Sequence, residues 1–239
     1  YWLLLIGALI IAAILFFAFP EKYRPIFRYV FGSFADGDGV FMTLRLTAVS
    51  FACILLVGMV MGVMRVSHVG ILRGISSFYV EIVRGVPVLV WILWIYFGLP
   101  VLFRDGLGFK NMRIAGFPAA VVAFTFAFGA YMTEIFRAGI QSIPKGQMEA
   151  SRSLGMNYLQ AMRHIILPQA VRVILPPVSN EFVTLLKDSS LVSVLGLEDV
   201  TRRGREWVGR TFASFDTYLV VALIYLILTV FFTRVSSAM

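Results

Sequence analysis

The sequence has 239 residues, of which 59% are hydrophobic and only 14% are charged, and its formal net charge at pH 7 is +8. A soluble globular domain usually carries about 25% charged residues, so this composition predicts a membrane protein in contact with a lipid bilayer. The basic residues are scattered between apolar runs and form no stripe with surface aromatics. This pattern argues against nucleic acid as a partner.

The sequence contains no GxxxxGK[ST] phosphate-binding loop. We therefore expect this chain to bind no cofactor and to have no enzymatic activity, and we expect ATP and Mg²⁺ to be bound by another polypeptide. The one cysteine, Cys53, lies inside an apolar run. Alone it can form neither an intrachain disulfide nor a metal site, so we predict no metal.

Six stretches are apolar enough to be predicted membrane spans, since a bilayer core of roughly 30 Å needs about 20 apolar residues in a helix. They are residues 1–19, 46–64, 87–103, 117–133, about 176–197, and 215–232. Hydrocarbon offers no partner to backbone polar groups, so we expect helices and an all-α membrane fold. Lys and Arg fall almost equally on the two sides, so charge bias leaves the orientation undecided. Six spans alone make a small transporter, which favours a dimer.

The longest stretch between predicted spans, residues 138–168, has the pattern of two short helices. The first follows the turn Ile143 to Gly146 and stops at Gly155, a residue suited to the left-handed position after a helix. The second has Asn157 as N-cap and Gln160 at capping-box spacing, and we expect it to end before Pro168. The pattern alone fits equally a helix pair that lies in the lipid interface.

The sequence of this stretch resembles the EAA signature of ABC importer permeases: E-A-A, three residues, G, about nine residues, then I-x-L-P. Glu149-Ala150-Ser151, Gly155 and Ile166-Leu167-Pro168 carry the match. Ser151 replaces the second alanine, and the spacer before Leu167 is missing unless Ile165 is taken as the isoleucine.

The resemblance implies a type I ABC importer permease fold and a cytoplasmic loop that docks on an ATPase. It places both termini in the cytoplasm and the Arg-rich stretch from Arg202 to Arg210 outside. Residues 40–235 would form the permease domain, and residues 1–20 an extra N-terminal transmembrane helix. The residues implied in ATPase coupling are Gly146, Glu149, Ala150, Ser151, Gly155, Leu167 and Pro168.

Four further stretches are similar to permeases for polar amino acids, the group with glutamine, histidine, arginine and glutamate/aspartate systems. They are Thr43 to Thr47, Arg84 to Pro87 with Tyr96 to Pro100, Tyr131 to Gln147, and Asn180 to Ser193. This similarity implies an identical or sister permease subunit, two ATPases, an extracytoplasmic amino-acid-binding protein and a bacterial inner membrane location.

The fifth predicted span contains Glu181, Lys187 and Asp188, and charges within a membrane helix tend to face a bundle interior or an aqueous cavity. We hypothesise a polar translocation path there. Its candidate residues are Arg84, Tyr131, Glu134, Glu181, Thr184, Lys187, Asp188 and Ser189. An equally open interpretation is that Glu181 and Asp188 brace helices or gate the path without touching cargo.

Two other functions are consistent with the composition. One is an ion-coupled secondary transporter or channel for small polar solutes, driven through Glu181 and Asp188. The other is a membrane scaffold without transport activity. Dependence of uptake on ATP distinguishes the importer from both.

Overall fold

The computed structural model describes residues 2–106 and 114–237, and these are almost entirely helical. In chain order the helices are α1 (Trp2–Ala18), α2 (Pro20–Phe31), α3 (Val40–Val66), α4 (Gly70–Arg84), α5 (Val88–Gly106), α6 (Gly116–Gln141), α7 (Lys145–Ser153), α8 (residues 158–188), α9 (Val200–Thr211) and α10 (Ser214–Ser237). Within these described ranges the only β pairing is a bridge between Gly39 and Asp199. The prediction of an all-α membrane fold is confirmed.

Among the described residues, four helices are long and apolar enough to cross a membrane: α3, α5, α6 and α10. The apolar part of α1, Leu3–Ala18, is shorter. Three amphipathic helices, α2, α4 and α9, were not predicted as elements, because each carries several charged residues and none reaches the length of a span.

The fifth predicted span was placed wrongly. The α-helical part of α8 covers Leu167–Asp188, and a 3₁₀ helix, Ser189–Leu195, replaces the predicted end of the span. The prediction that a helix ends before Pro168 was also wrong, because the chain stays helical through it. A π-helical segment, Met162–Ile166, precedes this proline. Such a segment shifts the hydrogen-bond register where proline lacks its N–H group.

The centre of the bundle is the pair α3 and α6, whose backbones approach closely at two glycines of α3. A Cβ atom on Gly58 would lie 2.4 Å from Cγ of Met132, and one on Gly62 would lie 2.6 Å from Cβ of Phe136. Small residues four apart allow this approach between membrane helices. Fully buried Phe124 and Leu185 belong to the same core.

The two ends of the bundle differ. At one end, here called the hairpin end, the stretch 138–168 lies beside the α3–α4 turn, since His68 contacts the ring of Tyr158. At the other end, α2, the loop 32–39 and α9 form a cluster here called the cap. In the cap, Arg203 forms an ion pair with Asp38, and the Gly39 N–H donates to the Glu198 carbonyl at 2.7 Å.

Candidate functional site

A cavity of about 490 Å³ lies between the end of α4, the second half of α6 and the middle of α8. Its lining residues are Arg84, Tyr131, Glu134, Ile135, Ala138, Gly139, Ser142, Val173, Pro177 and Glu181. Four of the eight predicted pathway residues are among them: Arg84, Tyr131, Glu134 and Glu181. Since Arg84 and Glu181 are far apart in sequence, their meeting in one cavity is a property of the fold.

Arg84 is the last residue of α4 and its guanidinium carbon lies 5.1 Å from the ring centroid of Tyr131. The C-terminal end of a helix carries partial negative charge, which favours a cation at this position. Within the described ranges Arg84 forms no ion pair, although it attracts Glu181 across the cavity. Its N–H donors therefore remain available to a ligand.

Glu134 occupies the same cavity but has two basic partners. Its Oε1 lies 3.0 Å from Arg65 of α3, and its Oε2 accepts a hydrogen bond from Arg137 at 2.6 Å. Arg65 in turn donates to the Ser76 carbonyl of α4 at 3.3 Å. Glu134 is thus neutralised by the protein and ties α6 to α3, and through Arg65 to α4.

Glu181 is partly buried in α8 and, in the part of the chain that the structure describes, its carboxylate has neither an ion pair nor a hydrogen bond from a side chain. Its charged neighbours are Arg84, which attracts it, and Asp188, which repels it. A carboxylate in this position is an acceptor without a fixed donor. It is the cavity group best suited to a cationic part of a ligand.

The other four predicted pathway residues do not line the cavity. Thr184 donates to the Asn180 carbonyl at 3.1 Å and Ser189 donates to the Leu186 carbonyl at 2.7 Å. Lys187 is exposed, and Asp188 is the last residue of α8. Sequence reasoning also missed Val173 and Pro177 as lining residues. Their spacing of eight and four residues before Glu181, which places all three on one helical face, was the available signal.

In the hairpin, residues 138–168, the turn between the two helices has the local structure that its sequence predicted. Gly155 follows α7 in the left-handed region, with φ of +85°. The Gly155 N–H donates to the Arg152 carbonyl at 3.0 Å and the Met156 N–H to the Ser151 carbonyl at 3.2 Å, the two bonds of a Schellman motif. The capping box of Asn157 and Gln160 is also present.

Most of the predicted coupling residues are on the outside of the hairpin. Gly146, Glu149, Ala150, Gly155, Leu167 and Pro168 are exposed. Ser151 is the exception: it is 3% exposed and donates to the Met148 carbonyl at 2.8 Å. Two leucines beside the turn, Leu154 and Leu159, are 81% and 75% exposed. An exposed apolar pair next to an exposed acidic residue is a surface suited to a protein partner.

Residues 54–238 match the family described as "Binding-protein-dependent transport system inner membrane component". The chain belongs to this family. Among curated relatives, the probable glutamine ABC transporter permease protein GlnM of Bacillus subtilis (strain 168) is 40% identical over 193 residues, which cover 81% of this chain and 86% of the relative. The arginine transport system permease protein ArtQ of the same strain is 38% identical over 201 residues, covering 84% and 89%.

A solved structure agrees with the fold. The crystal structure of an amino acid ABC transporter with histidines matches this chain with a TM-score of 0.79 and 38% identity, over 93% of this chain and 96% of that chain. The family and the type I fold that the EAA-like motif predicted are therefore confirmed. The chain is the permease subunit of an ABC importer, a multi-pass membrane protein with the type I fold.

Proposed function

We propose that this permease conducts polar amino acids through the cavity between α4, α6 and α8. The observation that carries the proposal is that Arg84 and Glu181, two oppositely charged groups, face one cavity without forming an ion pair with each other. The relatives named for glutamine and arginine support the same class of cargo.

The chemistry of the cavity fits a zwitterion. An amino acid needs a donor for its carboxylate and an acceptor for its ammonium group, and a guanidinium and a carboxylate supply both. Arg84 would bind the carboxylate, held in place by its stacking on Tyr131. Glu181 would accept from the ammonium group. Glu134 already forms ion pairs with two arginines, so it would stabilise the cavity wall and would not bind the cargo.

Coupling to ATP would act through α8. The exposed hairpin leads at Tyr158 into α8, and the same helix, which includes the π-helical segment Met162–Ile166, carries the cavity residues Val173, Pro177 and Glu181. A partner that moves the hairpin therefore moves one wall of the cavity. The coupling residues named from the motif remain part of this proposal, with Glu149, Ala150 and Leu154 at the contact.

The assembly we infer contains this chain, an identical or sister permease subunit, two cytoplasmic ATPases that bind ATP and Mg²⁺, and an extracytoplasmic amino-acid-binding protein, in a bacterial inner membrane. The hairpin would face the ATPases and the cap would face the binding protein. Residues 40–235 would form the common permease domain, with residues 1–20 as an additional helix.

The test is Glu181→Gln in the reconstituted complex, with Glu81→Gln as matched control, because Glu81 is an exposed glutamate outside the cavity. Glu181→Gln should lower amino-acid uptake about tenfold or more, since a charge-assisted hydrogen bond contributes about 1.5–3 kcal/mol. Basal ATPase activity should stay near the wild-type rate. Uptake by Glu181→Gln equal to that of the control would contradict the assignment of this carboxylate to the path.

Asp188→Asn tests whether a charged residue outside the cavity contributes to transport. Asp188 lies outside the cavity yet interacts electrostatically with Glu181. We expect a reduction in uptake of no more than about threefold, consistent with an indirect effect screened by distance. A loss as large as that of Glu181→Gln would show that the path extends beyond the cavity to Asp188.

A further inference from the structure

A second groove, of about 480 Å³, lies at the cap end between the last turns of α1 and the outer face of α2. Its lining residues are Phe16, Arg24, Phe27, Arg28, Phe31 and Gly32. Three aromatic rings form its walls and two guanidinium groups lie on one side. The translocation proposal uses none of these residues.

Arg24 is fixed in the groove through only part of its donor set. Its guanidinium carbon lies 5.1 Å from the ring centroid of Phe16 and 5.8 Å from that of Phe17, and Nε donates to the Phe16 carbonyl at 3.2 Å. A guanidinium has five N–H donors in a planar fork. The four on the terminal nitrogens have no other partner within the described ranges, so they can bind a ligand.

Arg28 lies one helical turn after Arg24 and is exposed. Among the residues that the structure describes it has no ion pair and no hydrogen bond from its side chain. The groove face of α2 contributes less to packing than the opposite face, although Phe27 also contacts the buried cluster and lies 6.0 Å from the ring of Phe16. Tyr23, Ile26 and Val30 on the opposite face are buried against α9 and α10.

The groove lies at the level where a lipid headgroup is expected. From the groove towards the hairpin end, α1 presents aliphatic side chains to the surroundings, with Leu3 83% and Ile14 52% exposed. At the cap end, exposed phenylalanines replace these aliphatic residues, among them Phe19, Phe34 and Phe215. Aromatic side chains and amphipathic helices with basic residues are typical of the membrane–water interface.

We propose that this groove binds an anionic phospholipid, with its phosphate on Arg24 and Arg28 and the first part of an acyl chain between Phe16, Phe27 and Phe31. Paired guanidinium groups recognise a phosphate through several N–H donors, and the aromatic walls accept the apolar glycerol and acyl carbons. The bound lipid would attach α2 to the outer leaflet. Through the buried face of α2, it would also stabilise the cap.

The test uses the purified full-length chain in detergent and a fluorescent phosphatidylglycerol as probe. Each basic side chain near an anionic lipid contributes about fivefold to affinity, so Arg24→Gln with Arg28→Gln should weaken binding about 20-fold. The matched control is Arg45→Gln. Arg45 is an exposed arginine near the cap end that also stacks on a phenylalanine, 4.7 Å from the centroid of Phe117, but lies outside the groove. The Arg45→Gln variant should bind the fluorescent phosphatidylglycerol with the affinity of the wild type.

Two competition arms identify the ligand. Unlabelled phosphatidylglycerol should displace the probe at lower concentration than phosphatidylcholine, and inorganic phosphate should displace it only weakly. Wild-type affinity in the double variant would overturn the proposal. So would equal competition by phosphatidylcholine or effective displacement by inorganic phosphate, the last of which would indicate a soluble phosphate ligand. An unchanged circular dichroism spectrum of the double variant excludes loss of folding as the cause.

Discussion

At the scale of single residues, two glutamates in one cavity have opposite surroundings. Glu134 lies between Arg65 and Arg137, whereas Glu181 has only the more distant attraction of Arg84. A carboxylate that the protein already neutralises contributes to rigidity. One without a fixed partner is available for ligand binding, so under the proposed function the two glutamates would have different roles in the same cavity.

Glu134→Gln should therefore affect stability before transport. The substitution leaves Arg65 and Arg137 without their shared anion, at positions where the three side chains are 17%, 18% and 33% exposed. Removing one partner of a partly buried ion pair costs about 2 kcal/mol. The apparent melting temperature in detergent should fall by several degrees. Glu149→Gln, at an exposed glutamate without an ion pair in the described part of the chain, serves as control and should melt like the wild type.

The cap contains a residue whose titration should affect stability. Asp199 is fully buried and caps α9, accepting from the Arg202 N–H at 2.9 Å and the Thr201 N–H at 3.2 Å, with the Tyr225 hydroxyl 3.3 Å away. Burial raises the pKa of the Asp199 carboxyl to about 6, and these hydrogen bonds oppose the rise. The folded state thus holds a proton between about pH 4 and pH 6 that the unfolded chain has lost.

The sign of the effect follows from proton binding. Stability from Asp199 is fully present below about pH 4 and is lost as the pH rises through about 6, a change of about 3 kcal/mol. Asp199→Asn keeps a capping side chain but does not titrate. Relative to the wild type, its melting temperature should rise steadily between about pH 4 and about pH 7. A constant difference over this range would show that Asp199 does not titrate there.

At the scale of elements, the hairpin depends on one backbone conformation. Gly155 has φ of +85°, and none of the described residues would place an atom within 4 Å of a Cβ atom added there. An alanine at this position is therefore opposed by backbone strain and not by crowding. That strain is about 1 kcal/mol for a residue with a Cβ atom. The left-handed conformation at the turn between α7 and α8 therefore favours glycine at this position.

Gly155→Ala should weaken binding of the ATPase subunit about fivefold, because the strain of about 1 kcal/mol corresponds to about fivefold in affinity. The measurement is a titration of the purified permease with its ATPase. Gly74→Ala is the matched control. Gly74 is a helical glycine of α4, also with open space around it, and its φ is not positive. Equal ATPase affinity of the two variants would mean that the Schellman turn does not set the docking geometry.

The helices that could be predicted from the sequence are those that must be apolar because they are surrounded by lipid. The long apolar runs of α3, α5, α6 and α10 were found because a span surrounded by hydrocarbon must be apolar on most sides. The turn at Gly155 and the capping box at Asn157 were found because they are local. The helices α2, α4 and α9 were missed, since their charges are accommodated by partners such as Asp38 with Arg203, which are distant in sequence.

The candidate site was predicted only in part for a geometric reason. Asp188 is seven residues after Glu181, so it returns to nearly the same face of α8 but lies about 10 Å further along the helix axis. That distance places it past the end of the cavity. The meeting of Arg84, Tyr131 and Glu181 depends on how three helices pack, which no periodicity within one helix reveals.

At the scale of the whole molecule, the fold shows at which end of the bundle each helix terminus lies, which the distribution of Lys and Arg left undecided. Tyr23, just after α1, donates to Asp216 at the start of α10 at 2.8 Å, so the end of α1 and the start of α10 are at the cap. Ser236, near the end of α10, lies by a cavity with Arg172 of α8, towards the hairpin. Both described ends of the chain therefore lie on the hairpin side.

Single-cysteine labelling tests this arrangement in a Cys53→Ala background. Ala35→Cys in the cap loop and Gly209→Cys in α9 should react with a membrane-impermeant maleimide added to intact spheroplasts, since both positions are exposed. Ser153→Cys in the hairpin and Ser236→Cys should react only after the membrane is opened. Labelling of Ser153→Cys from outside would reverse the assigned orientation.

The two adjacent prolines inside α8, Pro176 and Pro177, give the cavity a property that no side chain provides. Pro177 has no N–H group to donate to the carbonyl of Val173, four residues earlier, and both residues line the cavity. Under the proposed path, this main-chain oxygen, which lacks its usual helical donor, would be a second acceptor beside Glu181. Replacement of Val173 by any other residue would leave that oxygen in place, so alanine scanning of the wall would not detect its contribution.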